Sequence, residues 1–292
     1  MKELLQLMFN YLKRTIFISL IDLTVILGPL LLLSLIMNFI SARLNNLLLQ
    51  LFGRKSYMNL LARPGVFTHE LGHYLFCIIF RHQVTEVKFF DNSEQATHLG
   101  YVKHRYDANS IYQRLGNFFI SLETILFNSI LLYGLLYIFL DMNILNAIDK
   151  IDLNLLQNYK QPALIIQDLT DYFCLLIDFL KQIFLTNGLV WWQLLLLIYS
   201  LYAIGSFITL SQADLKGATE GLKVIFGLIV IINFISSLLH DFFSLNIYLS
   251  DLFQIIAPFS EKFLLLMSIN IFVNVVLLLF VYILKLIVIR IR

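Results

Sequence analysis

Charge is scarce in this 292-residue chain: 14% of residues are Asp, Glu, Lys or Arg, against about 25% in a soluble domain. Glycine (12) and proline (4) are also few, so neither a loop-rich fold nor a disordered chain fits. A net charge of +2 provides no electrostatic footprint for a nucleic-acid partner. The two cysteines, Cys77 and Cys174, are far apart in sequence and form neither a disulfide framework nor a cysteine-rich metal site. Each is expected to be buried in apolar packing. The first long apolar block lacks a small-residue cleavage site at its end, which makes it a retained transmembrane helix rather than a signal peptide. Internal repeats and low-complexity tracts are absent.

What fills the chain instead is apolar residues, 59% of the total, with a mean hydropathy of +0.81. They come in blocks, and a block of about 20 suffices to cross a bilayer. Residues 15–41, 117–140, 188–210 and 263–289 meet that length, and 224–240 falls slightly short. A shorter block, 66–80, carries His69, Glu70 and His73. It is expected to be a short span or a re-entrant half-helix whose polar face meets protein or water, because three ionisable groups facing lipid cost too much. The expected fold class is therefore an all-α polytopic membrane protein, one multi-pass domain over 1–292, with about six membrane segments.

Two regions depart from this pattern. Val84–Phe90 and Leu99–Lys103 favour β-formers around a polar Asp91-Asn92-Ser93-Glu94 turn, which predicts a small β-hairpin. Residues 163–185 set Asp168, Asp171, Asp178 and Lys181 in one stripe on an apolar helix, expected to lie along the membrane surface. Lys and Arg are concentrated in 81–114 and at the C-terminus, while 141–187 is acidic. The hairpin, the loop 211–223 and the C-terminus are thus expected on the cytoplasmic side and the acidic segment outside. The basic residues around the first span conflict and leave the N-terminus undecided.

The sharpest chemical signal is His69-Glu70-Leu71-Gly72-His73. On a helix, residues i and i+4 share a face, so two imidazoles can grip one zinc ion while the intervening Glu serves as general base to a water. With six His in the chain, chance rarely yields this spacing. The bland alternative, a His–Glu–His group satisfying itself inside a bundle, is costly in a membrane without a strong partner. Zinc needs a third protein ligand, and Asp214, at the cytoplasmic end of the span 188–210 in Ser211-Gln212-Ala213-Asp214-Leu215-Lys216-Gly217, is the candidate. An interfacial Asp beside Lys216 is the competing explanation. Glu123 is open to three roles: a partner of a ligand, an alternative ligand, or a carboxyl neutralised by burial. Asp22 is expected at the membrane interface, His98 and His104 as solvated or interfacial residues flanking the hairpin, and Asn128 and His240 as ordinary bundle or interface residues.

The His69–His73 motif, the hairpin after it, a further span, an external insertion and an Asp-containing motif closing a later span together resemble site-2-protease-like intramembrane zinc metalloproteases. More narrowly, Pro64-Gly65-Val66-Phe67-Thr68 leading into that motif, Leu99-Gly100-Tyr101-Val102, Tyr112-Gln113-Arg114-Leu115-Gly116-Asn117-Phe118-Phe119 and Asp214-Leu215-Lys216-Gly217 resemble a little-characterised bacterial branch of the group. The resemblance covers 60–225. It implies a Zn2+ cofactor held by His69, His73 and Asp214, Glu70 as catalytic base, a membrane-protein or peptide substrate, and a multi-pass place in the bacterial plasma membrane. The chain departs from the group where Ser211-Gln212 stands before the Asp in place of Asn-Pro, and where Ser121, Glu123 and Thr124 occupy the third span in place of Gly or Pro. A zinc hydrolase of a non-peptide substrate and a non-enzymatic transporter or assembly factor are the other function classes; the intact Glu70 argues against the last, because a structural zinc does not need it.

Overall fold

A computed structural model describes residues 2–93, 98–139, 162–181, 185, 190–243 and 249–291. Glu94 of the hairpin turn, residue 140 at the end of the block 117–140, residues 141–161, 182–184 and 186–187 of the acidic segment, and 188–189 at the start of one apolar block lie outside the described residues. The chain runs as α1 (Lys2–Ser56), a π-helical turn (Tyr57–Ala62), α2 (Arg63–Ile79), β1 (Gln83–Lys88), β2 (Tyr101–Arg105), α3 (Ile111–Phe139), α4 (Pro162–Lys181), α5 (Trp191–Ala203), a single 3-10 turn (Gly205–Phe207), α6 (Gln212–Phe243) and α7 (Leu249–Ile291). Among the described residues, four stretches are helical, long and apolar enough to cross a membrane: Met8–Ile79, Ile111–Phe139, Gln212–His240 and Glu261–Val288. The protein is a helical membrane protein with a small antiparallel sheet.

The first stretch is broken twice. Gly53 has φ 74° and ψ 161°, a region open essentially to glycine alone, and the helix cannot run straight through it. The π turn follows, burying Tyr57, Met58 and Ala62, and Pro64 then falls in the first turn of α2, where its missing N–H costs no hydrogen bond. The expected block 66–80 is thus the 17-residue α2, about 25 Å long.

α3 is the central helix. Over half of its apolar window (56%) is buried, against 11–17% in the other three. It packs most extensively on α6, with α2 on another side, while α1 packs along α7. Phe118, Leu122, Ile125, Leu132 and Leu136 of α3 form the main core with Leu197 and Leu201 of α5 and Leu265, Met267 and Val273 of α7. The outer helices present Phe39, Ile231, Ile235, Phe280 and Ile283 outward, as a lipid-facing surface requires. Burial of α3 also explains its polar content: Asn117, Ser121, Glu123, Thr124, Asn128 and Ser129 are all buried, facing protein and not hydrocarbon.

Four expectations need correction. The block 188–210 is a 13-residue helix closed by the 3-10 turn, about 20 Å long and too short to cross as one regular helix. The segment 211–223, expected as a loop, is the first third of α6. Asp22 is buried, where it accepts a hydrogen bond from Asn233 Nδ2 at 2.9 Å; the amide partner on α6 makes burial affordable within the bundle. Of the two cysteines, Cys77 is buried but Cys174 is exposed, because α4 turns Tyr172 inward, to bond Ser268 Oγ at 2.6 Å.

The hairpin forms as expected, with β1 and β2 antiparallel and Val87 opposite Val102. An irregularity between Val84 and Glu86 shifts the register by one residue, and Thr85 Oγ1 bonds the Lys103 carbonyl at 3.1 Å there. On the exposed face Glu86 pairs with Lys103 at 2.7 Å and accepts from Tyr101. Both contacts hold its carboxyl below the usual range.

Candidate metal centre

α2 is pressed against the end of α5 because Gly65 lacks a side chain: a Cβ there would stand 2.0 Å from the Ala203 carbonyl oxygen and 2.1 Å from the Phe207 ring. That approach brings His69 to the 3-10 turn, whose backbone is not fully committed to helical bonds. Since a carbonyl can only accept, His69 Nδ1 donates to Phe207 O, at 3.4 Å. One turn on, His73 Nδ1 donates to Ile120 O of α3 at 3.0 Å. The two rings stand edge-on with centroids 4.8 Å apart. A neutral imidazole so bonded carries its proton on Nδ1 and keeps a lone pair on Nε2, the arrangement by which a backbone carbonyl orients a ligating histidine.

Asp214 arrives from α6. Ser211 and Asp214 form a reciprocal cap on that helix: Asp214 N donates to Ser211 Oγ at 3.1 Å, and Ser211 N donates to Asp214 Oδ2 at 2.8 Å. The cap holds one carboxylate oxygen and leaves Oδ1 to face His73 Nε2 at 3.3 Å. Two acceptors face one another across that gap, and a cation between them, a proton or a metal ion, resolves the conflict. One ligand atom from each of His69, His73 and Asp214 lies within 4.8 Å of the others. Two imidazole nitrogens and a carboxylate oxygen at such spacing match the donor set of a zinc site with one open position.

Glu123 stands on the opposite side of His73, with Oε1 3.3 Å from Nδ1, and among the described residues neither of its carboxylate oxygens has a hydrogen-bond partner. The Nδ1 proton is directed to the Ile120 carbonyl, and Glu123 is outside the set of ligand atoms that lie within 4.8 Å of one another. Gly72 makes room for it: a Cβ on Gly72 would sit 1.7 Å from Glu123 Oε2. Glu70 is buried beneath the entrance to β2, where Gly100 approaches its Cγ closely enough that a Cβ would lie 2.7 Å away. A cavity of about 160 Å³ opens beside the group, lined among others by His73, Asp214, Asn117, Ser121, Gly217 and His104, with room for several waters. Two larger cavities are lined mainly by aliphatic and aromatic side chains, without histidine, cysteine or carboxylate.

The fold thus brings together ligand atoms of His69, His73 and Asp214, with Glu123 against the Nδ1 side of His73. Asn128 sends its Nδ2 to the same Phe207 carbonyl that orients His69, at 3.5 Å, a link its sequence position does not signal. His98 is exposed. His104, read as solvated or interfacial, is half-buried and lies against His82, which sequence spacing had not singled out, with Nδ1 to Nδ1 at 3.0 Å. Burial holds both imidazoles below the usual histidine range; for His104, pushed down to about 4, the neighbouring His82 and His73 add to the effect. No protein-family model, curated protein or solved structure matches the chain.

Proposed function

We propose that this chain is a membrane-embedded zinc metalloprotease of the site-2-protease-like kind, hydrolysing a peptide bond in or near the bilayer. The observation that carries this reading is the approach of His69, His73 and Asp214 to within 4.8 Å, with Glu70 on the same turn of α2. Zinc held there by His69, His73 and Asp214 would supply Lewis-acid chemistry for a scissile carbonyl and a water molecule. Glu70 would be the general base, taking a proton from the attacking water as the water oxygen bonds to the carbonyl carbon and delivering it to the amide nitrogen as the C–N bond breaks. Backbone carbonyls of Phe207 and Ile120 keep both imidazoles in the ligating tautomer. The hairpin passes over Glu70 at Gly100 and offers a strand edge on which an extended substrate segment can add. The hairpin and the site lie toward the cytoplasmic face of a bacterial plasma membrane.

The test pairs metal content with turnover. Purified Glu70→Gln should keep the zinc of this group and lose cleavage, because the base is not a ligand and the amide is nearly isosteric; His73→Ala should lose that ion and cleavage together. Cleavage by Glu70→Gln would end the metallohydrolase reading.

A further inference from the structure

A second cluster of metal-ligating side chains lies beyond the first, at the end of α2. The helix stops at a Schellman turn: His82 N donates to Cys77 O at 2.8 Å and Arg81 N to Ile78 O at 3.0 Å, with Arg81 in the left-handed region at φ 57°. In that motif the residue after the left-handed one folds back over the helix's last turn, usually in a hydrophobic contact. Here the two residues brought together are a buried thiol, Cys77, and a buried imidazole, His82. The left-handed position is one where glycine is the common choice, so the turn is kept at a backbone cost.

Three further contacts aim the group. His82 Nε2 donates to the Gln113 carbonyl at the start of α3, at 2.8 Å, which leaves Nδ1 with its lone pair. Gly116 lets α3 come this close, since a Cβ there would lie 2.5 Å from Phe80 Cβ and 3.0 Å from His82 Nε2. From the hairpin, His104 brings its own Nδ1 to 3.0 Å from that of His82. Cys77, His82 and His104 each place a ligand atom within 4.8 Å of the other two. A hydrogen bond between the imidazoles alone would not call for a thiol at the same point.

We infer that Cys77, His82 and His104 form a second transition-metal site, selective for a borderline-soft divalent ion such as zinc, that ties the hairpin to the end of α2. One sulfur and two nitrogens suit such an ion better than magnesium or calcium, which take oxygen ligands. His104 also lines the cavity shared with His73 and Asp214, so the second ion would sit at the rim of the first centre. The assignment stands on these three residues whether or not the protein is a protease.

Cobalt(II) alone, titrated into the metal-free full-length protein in a Cys174→Ser background, separates the two sites, because only the second contains a thiolate. Two ions per chain are expected, one of them with a thiolate-to-cobalt charge-transfer band in the near ultraviolet. Cys77→Ser should remove the band and one ion; His69→Ala should remove one ion and keep the band. Should Cys77→Ser fail to fold, His104→Asn, on the hairpin, provides the same readout, with the band titrating more than about 100-fold weaker, beyond the usual cost of losing a ligand's partner. A wild-type titration that ends without the band, a band that persists in Cys77→Ser, or one that titrates unchanged in His104→Asn would overturn the assignment.

Discussion

Asp214 has two tasks, and they can be separated by mutation. One carboxylate oxygen caps α6 through Ser211 N and the other faces His73. Ser211→Ala removes the hydroxyl half of the cap, expected to cost about 1 kcal/mol of stability, and loosens the carboxylate without deleting it. Metal affinity, read by competition with a chelator, should therefore fall modestly in Ser211→Ala and far more in Asp214→Ala. Equal losses would mean that Asp214 acts only as a cap. Glu123→Gln should fold and keep metal binding to within about 10–100-fold, the range for a group that supports a ligand from behind; loss on the scale of Asp214→Ala would make Glu123 a ligand. The His-Glu-x-x-His spacing was readable because helical geometry fixes what i and i+4 share. The role of Gly72 was not, since it depends on Glu123 arriving from another helix, and His82 was missed because its partners Cys77 and His104 meet only after the Schellman turn and the hairpin have formed.

Among the elements, the hairpin was legible: β-formers flank a polar turn, and both strands lie within two residues of the expected positions. The start of α6 was not. Asp214, Lys216, Thr219, Glu220 and Lys223 depress the local hydropathy and mimic a loop, yet most are compatible with a helix and the Ser211–Asp214 cap begins one. The same limit applies to 188–210, where an unbroken apolar run concealed the 3-10 turn that frees the Phe207 carbonyl. The end of α2 provides a test at this scale. Arg81→Gly relieves a left-handed conformation that costs a residue with a Cβ about 1–2 kcal/mol, offset in part by the greater freedom of glycine in the unfolded chain. Thermal unfolding in detergent should show the variant at least as stable as the wild type; a clear loss would mean that the Arg81 side chain holds the turn by contacts of its own.

At the scale of the whole molecule, a central α3 wrapped by outer helices lets titratable groups lie inside an apolar bundle, because His73, Glu123 and Asp214 meet protein there. Hydropathy could locate the long helices but not which of them is central, since that depends on pairing. The basic residues of 81–114 set the expected orientation, with the hairpin inside. In a Cys174→Ser background, Asn92→Cys should react with an impermeant thiol reagent only in opened vesicles, and Gln167→Cys on the exposed side of α4 should react in intact cells; the reverse pattern would invert the topology. The proposal as a whole rests on Glu70 cleaving peptide bonds with the help of the metal group, and the most direct measurement is a map of new protein N-termini in the membranes of cells that carry this chain natively. Cells with the wild-type protein are expected to contain N-termini that disappear when Glu70→Gln, still metal-loaded, replaces it; identical sets in the two would contradict the assignment.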